Sequence, residues 1–295
     1  SYLRTKARSY AEFARVMALR TNSSNNTVYA DADGTIAYWH GNFVPVRDTA
    51  FDYTRPVDGS DPRTDWRGLH ALRETVQLKN PATGWIQNTN NAPWQAAGAS
   101  SPRPAAYPRY MVEPPENPRG VHAVRVLQAR RDFTLDRLID AAYDPEMPAF
   151  EPLIPALVRA WEEAPAGDSL RARLAEPIAA LSAWDRRWSA TSVPTTLAVL
   201  WGEELMARAQ NARAQGGARA RGVSIYEQML TGTSAGEKRE ALARTVARLE
   251  RDFGSWRTPW GELNRFQRLT GDVVQPNDDA KPSLPVPFAS ALWGS

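Results

Sequence analysis

GWIQNTNNAP, Gly84 to Pro93, is the stretch on which the reading of this chain turns. Asparagines packed together and closed by Pro93 do not belong to a regular helix, because their side chains compete for local backbone groups and proline stops any continuation. Trp85-Ile86 is predicted as a short buried strand, so that Asn88 to Asn91 emerge at its end, where a fixed sheet presents side-chain amides to a pocket. A carboxamide NH2 held there, Asn90 above all, donates to an oxyanion. The alternative is an asparagine-rich turn that bonds its own backbone.

Outward toward the N-terminus, Phe13, Val16, Met17 and Arg20 recur at helical spacing after Ser9, with Glu12 placed as in a capping box. The cluster TNSSNN (Thr21 to Asn26) breaks that helix. Thr27-Val-Tyr-Ala and Thr35-Ile-Ala-Tyr-Trp-His, separated by Asp31-Ala-Asp33-Gly34, predict a hairpin. The Asp-x-Asp-Gly opening is shared with calcium loops, but the other ligands of such a loop are missing and a turn accounts for both aspartates and the glycine. Gly41 to Pro62 reads as an ordered surface loop, and Asp65-Trp66-Arg67-Gly68 leads back toward the strand before Asn88.

Outward toward the C-terminus, residues 92 to 118 hold seven prolines and predict a long irregular connection draped over the surface, lining a pocket mouth. Leu135, Leu138 and Ile139 follow Thr134 as a cap. Leu170, Leu174, Ile178, Leu181, Trp184 and Trp188 hold helical spacings, as do Leu242, Val246, Leu249 and Phe253 before Gly254. Gln215 to Gly222 reads as a loop, and the last twenty or so residues show no clear element.

A chain of 295 residues with 42% apolar residues and 11 tryptophans buries a sizeable core, in one large domain or two smaller ones. Its 36 basic and 33 acidic residues are scattered, which gives no case for a nucleic-acid or membrane partner. The absence of cysteine excludes disulfides, thiolate metal sites and a cysteine nucleophile. No apolar run spans a bilayer and no signal-peptide pattern opens the sequence.

Three blocks in one order, NNTVYADADGTIAYWHGNFVP (Asn25 to Pro45), DWRGL (Asp65 to Leu69) and GWIQNTNNAP, together resemble the penicillin acylase family of N-terminal nucleophile hydrolases. The branch that includes aculeacin and acyl-homoserine-lactone acylases is the most similar in flavour. The resemblance runs from about Tyr2 to Pro259-Phe266 and implies an α+β fold of the αββα type, here incomplete, with a helical subdomain. The expected organisation is a partial hydrolase core over residues 1–119, helices over 120–270 and a return segment over 271–295. The implied activity is hydrolysis of the carbon–nitrogen bond of a linear amide, releasing an acyl group from an amine. The implied partners are a small-molecule N-acyl substrate and a small (α) subunit of the same self-processed precursor. The implied location is periplasmic or secreted.

In the family a serine freed by self-cleavage attacks the amide, and its own α-amine, with a pKa near 8, acts as base. A backbone N–H and an asparagine NH2 then hold the oxyanion. The second asparagine of Asn-x-Asn-Asn fills that role and maps to Asn90. A family arginine six residues before a second one maps to Arg119, with Arg125 following, and is expected to hold the asparagine or the polar end of the substrate. No cofactor is implied. The family's structural calcium needs a downstream carboxylate, for which Glu113 and Glu116 are the only acids between Asn91 and Arg119, so no metal ligand is assigned. Ser1 is a nucleophile candidate by position alone and is rejected, since Tyr2-Leu-Arg-Thr-Lys-Ala matches the family's interior helix and not its serine-led strand. The expectation is an internal fragment of the large subunit, inactive alone. His40, His70 and His122 lack nucleophile-elbow or metal-ligand spacing. A tryptophan-rich carbohydrate-binding module is the rival from another class, although Trp184, Trp188 and Trp201 are expected on apolar helical faces as core.

Overall fold

Ser9 starts the first helix, α1 (Tyr10–Met17), because its hydroxyl accepts the backbone N–H of Glu12 at 3.3 Å. The carboxylate of Glu12 reaches one residue further back than a capping box and takes the N–H of Arg8 at 2.9 Å. The helix stops at Met17, whose carbonyl accepts from the buried Asn42 side chain. Arg20 therefore lies beyond the helix, in left-handed backbone at φ 54°, and its guanidinium bonds the carbonyls of Leu69 and His70. The computed structural model describes residues 2–21, 25–111, 116–215 and 224–294. Half of the expected TNSSNN break (residues 22–24) and all of the Gln215–Gly222 loop after Gln215 lie outside the described residues, as do Ser1 and Glu113.

The predicted hairpin forms, with β1 (Thr27–Ala30) antiparallel to β2 (Ile36–Trp39) in the register Tyr29 to Ala37. Its turn uses the aspartates as a turn should: Asp31 Oδ1 accepts the N–H groups of Asp33 and Thr35. The Tyr29 hydroxyl donates to Asp31 Oδ2 at 2.8 Å. Partial burial first, and then this carboxylate, push the Tyr29 phenol up to about 12, while the same bond and the Thr35 N–H hold Asp31 below the usual carboxylate range.

The third strand is β3 (Gln77–Lys79), which pairs with β2 in the register Tyr38 to Leu78. This corrects the expectation that Trp85-Ile86 is a strand. Gln77 to Lys79 fill the free edge of β2, and Asn80 closes the pairing by bonding Ile36 through both its N–H and its Oδ1. Pro81 and Gly84 then turn the chain away, and Trp85 packs its ring over Gly98. The sheet has two faces by strand alternation. One carries Tyr29, Ala37 and Trp39 against α1, where Tyr10 stacks on Trp39 at 5.7 Å and Phe13 meets Tyr29 at 5.0 Å. The other carries the buried Tyr38.

The loop from Gly41 is held by its own aspartates, since Asp48, Asp52, Asp58 and Asp61 each accept a backbone N–H two residues on. Asp65 to His70 pair back onto Val44 to Val46 through the N–H groups of Val46, Arg67 and His70. The proline-rich connection after Ala92 is not simply draped over the surface, as expected. Short 3-10 turns at Pro93–Gln95, Gly98–Ser100, Pro104–Ala106 and Arg109–Met111 fold it back, burying Ala96 and Ala97. Prolines lead two of these turns because the first helical position has no use for its N–H. Helix α2 (Pro118–Gln128) follows.

The chain divides into two compact units, one through Phe133 and one from Thr134. The second is helical: α3 (Leu135–Ala142), α4 (Phe150–Glu162), α5 (Ser169–Ser182), α6 (Val193–Gln215), α7 (Ile225–Thr231), α8 (Ala235–Phe253) and α9 (Trp260–Leu263). Thr134 caps α3 as predicted, and Gly254 ends α8 at φ 77°. Helix α5 ends at Ser182, so Trp184 and Trp188 lie past it; Trp184 is nonetheless in the core and Trp188 is half-buried. Helix α8 packs on α4, α5 and α6 around Phe150, Leu157, Leu181, Trp201 and Leu249. Lys238 is buried here, and its ammonium donates to the carbonyls of Leu230 and Thr233 at the end of α7 while burial pushes its pKa down. The final residues are not without structure. A two-stranded pairing, β4 (Arg265–Phe266) with β5 (Leu284–Pro285), precedes a 3-10 turn at Ala291–Trp293 that drives the fully buried Trp293 to 4.8 Å from Phe150. None of the described helices is long and apolar enough to cross a membrane.

Candidate functional site: the asparagine loop and the start of helix α2

The face of the sheet opposite α1 holds one end of the asparagine loop. Asn88 donates to the Tyr38 hydroxyl at 3.4 Å and accepts from Asn26 at 3.2 Å, and the Tyr38 hydroxyl lies 2.6 Å from His40 Nδ1. The loop also bonds its own backbone. Asn91 Oδ1 takes the Thr89 N–H at 2.9 Å, and Asn88 Oδ1 takes that of Asn90 at 3.3 Å. Asparagine tolerates the left-handed backbone this requires, and Asn90 sits there at φ 59°. The asparagine-rich turn and the presented carboxamide are thus one object: the turn of 88, 89 and 91 leaves the side chain of Asn90 exposed.

The other end is held by the first turn of α2. Asn117 caps that helix by accepting the Gly120 N–H at 3.0 Å, Pro118 occupies the first position, and Asn117 also bonds the hydroxyl and carbonyl of Thr89. Arg119, next in the helix, directs both terminal nitrogens at Asn90 Oδ1, at 3.3 and 3.4 Å. A guanidinium has only donors, so the carboxamide must turn its oxygen toward Arg119 and its NH2 away. No described residue takes a hydrogen bond from that NH2. Arg119, expected to hold the asparagine or the polar end of the substrate, is in direct contact with Asn90, and the arrangement offers an oriented donor to an incoming anion.

Residues that sequence reasoning passed over complete the loop. Asn91, buried, donates to Glu116 Oε2 at 2.9 Å, and Glu116 Oε1 takes the Asn117 N–H at 2.8 Å. Both oxygens of Glu116 thus face N–H donors. The signal available was Asn117-Pro118, a helix-start pair that fixes Glu116 just outside the helix.

The histidines are placed otherwise. His70 lies 3.2 Å from Glu74 Oε2 through Nδ1 and 2.7 Å from the Tyr110 hydroxyl through Nε2, joining two 3-10 turns; His122 is buried in α2. Backbone N–H donation from Ala71 and the contact with His70 hold Glu74 below the usual carboxylate range. The tryptophans do not form a sugar platform, since Trp39, Trp184, Trp201, Trp260 and Trp293 are buried, the others but one are half-buried, and Trp66 alone is exposed. This removes the support for the carbohydrate-binding alternative.

Known proteins similar to this chain agree with the blocks read above. Penicillin G acylase of Escherichia coli is 34% identical over 95 residues, which are 32% of this chain and 11% of that protein. The solved structure of a thermostable penicillin G acylase from Alcaligenes faecalis matches with a TM-score of 0.56 at 20% identity, over 86% of this chain and 51% of that one. The chain thus spans about half the length of its structural relative and has the N-terminal nucleophile hydrolase fold, of α+β class. The description of the family that matches residues 1–286 is penicillin amidase, and the chain belongs to that family.

Proposed function

We propose that this chain carries the side-chain half of the oxyanion hole of an acylase that cleaves N-acyl amides. The observation that carries this reading is the Arg119 to Asn90 contact, which turns an exposed carboxamide NH2 outward from a loop tied at both ends. Attack on an amide carbonyl places charge on its oxygen, and a donor already aimed there stabilises the transition state without reorganising. The guanidinium drawing on Oδ1 also polarises the amide, which strengthens its N–H donation.

The nucleophile in this reading is a serine outside these residues, freed by self-cleavage of a precursor, with its α-amine as base. A small subunit of that precursor, a periplasmic or secreted location and an N-acylated small molecule as substrate belong to the same reading, which family membership supports, the relatives being penicillin G acylases by name. The 295 residues alone are then inactive. A turnover measurement on the processed enzyme that contains this chain tests the assignment. Asn90→Ala is expected to lower kcat roughly a hundredfold, about 3 kcal/mol of barrier, as losing one oxyanion donor does. An unchanged kcat rejects the assignment.

A further inference from the structure

Building on the acylase reading, we infer that Glu116 is a positioning residue for the oxyanion donor, acting on Asn90 through the buried carboxamide of Asn91. Asn90 is exposed and strained into left-handed backbone, so its direction depends on its neighbours. Asn91 is the neighbour with no freedom. Its Oδ1 accepts from the Thr89 N–H and from Asn88 Nδ2, and its Nδ2 donates to Glu116. The Glu116 carboxylate is in turn fixed by the Asn117 N–H, directly before the helix that supplies Arg119. The charge suits the start of α2, where the helix dipole favours an anion.

The fit is close enough to exclude a methyl group. A Cβ added at Gly120 would stand 2.1 Å from Glu116 Oε1 and 2.6 Å from Asn91 Nδ2, so the carboxylate and carboxamide lie in a gap that glycine keeps open. Two acceptors are needed at residue 116, one for Asn91 and one for Asn117. Glutamine has the same shape and one acceptor oxygen, so Glu116→Gln sets an NH2 against one of two N–H donors. Asn91→Asp alone sets two carboxylates face to face. Together the changes exchange the partners: a carboxylate at 91 accepts from Thr89, Asn88 and the new NH2, while the new carbonyl at 116 accepts from Asn117. Every hydrogen bond is restored with the charge on the other side.

The experiment measures kcat, KM and melting temperature for the processed enzyme and its Glu116→Gln, Asn91→Asp and doubly substituted variants, with Asn90→Ala as reference. The expected result is a kcat lowered roughly tenfold to a hundredfold in each single variant, from a displaced donor. KM should stay within about twofold, as for an interaction made only in the transition state. The double variant should return to within about threefold of the parent, because the pair acts as a unit. A Glu116→Gln enzyme with the parental kcat overturns the inference, as does a double variant that regains its melting temperature and not its kcat. Should Glu116→Gln fail to fold, the double variant still decides. An Asn90→Ala enzyme of parental kcat removes the oxyanion-donor assignment on which this inference rests, whereas loss there with none in Glu116→Gln removes only the role of Glu116.

Discussion

Asn90 and Arg119 lie 29 positions apart and share a hydrogen bond in which only one partner has a choice of orientation. Arg119→Ala removes what decides it, and rotation of the carboxamide then presents oxygen or nitrogen to the substrate in turn. We expect kcat to fall by about tenfold, less than for Asn90→Ala because the donor remains present part of the time. Arg119→Lys keeps the charge and loses the fork, so its kcat should lie between the parent and Arg119→Ala; steady-state kinetics on the processed enzyme check both. The sequence pointed to these residues because asparagine, threonine and proline in that order have few structures open to them. Asn91 and Glu116 were not legible, since their bond joins residues 25 apart and each alone looks like loop polarity. Only the folded loop shows that one asparagine is spent inward so that another can be exposed.

Elements defined by their own ends were the easiest to read. The Asp31 turn, the Ser9 and Thr134 caps and the Gly254 stop are local chemistry, and each stands where the residues placed it. Elements that need a partner or break a rule were harder. Trp85-Ile86 has strand-like residues but stays outside the sheet, because Gln77 to Lys79 already pair with the second edge of β2 and the chain turns away at Pro81 and Gly84. Helix α4 carries Pro152 in its first turn, where no N–H is missed, and Pro155 inside, where burial of Phe150, Leu153 and Leu157 outweighs the lost bond. The hairpin offers a titration test. Tyr29 and Asp31 share a bond, so absorbance should show one tyrosine ionising near 12, moved part of the way down in Asp31→Asn, which removes the carboxylate's share and leaves that of burial. The sign follows from linkage: the raised phenol contributes stability that is complete below about pH 10 and lost as pH climbs through its folded value. The lowered Asp31 carboxyl contributes above about pH 4, and that part is lost as pH falls through its own folded value.

At the scale of the whole molecule, the second unit is closed by its own tail. Trp293 fits beside Phe150 and over Gly202, where an added Cβ would come within 2.6 Å of the indole. Trp293→Ala should cost about 3 to 5 kcal/mol, and Gly202→Ala about 1 to 3 by overpacking the same space, both measured by denaturant unfolding. That the tail enters the core was not readable, because a lone tryptophan among prolines and glycines carries no periodicity. The α+β class and the family were readable, since three short blocks in one order carry the resemblance even though the solved penicillin G acylase is 20% identical to this chain. The enclosed Lys238 has a practical corollary. Lysine otherwise occurs only at positions 6, 79 and 281, all exposed, the remaining basic side chains being arginine. Glutaraldehyde and other amine-directed linkers would find few footholds on the described surface, so fastening this chain to a solid support calls for carboxyl coupling or for lysines added by design.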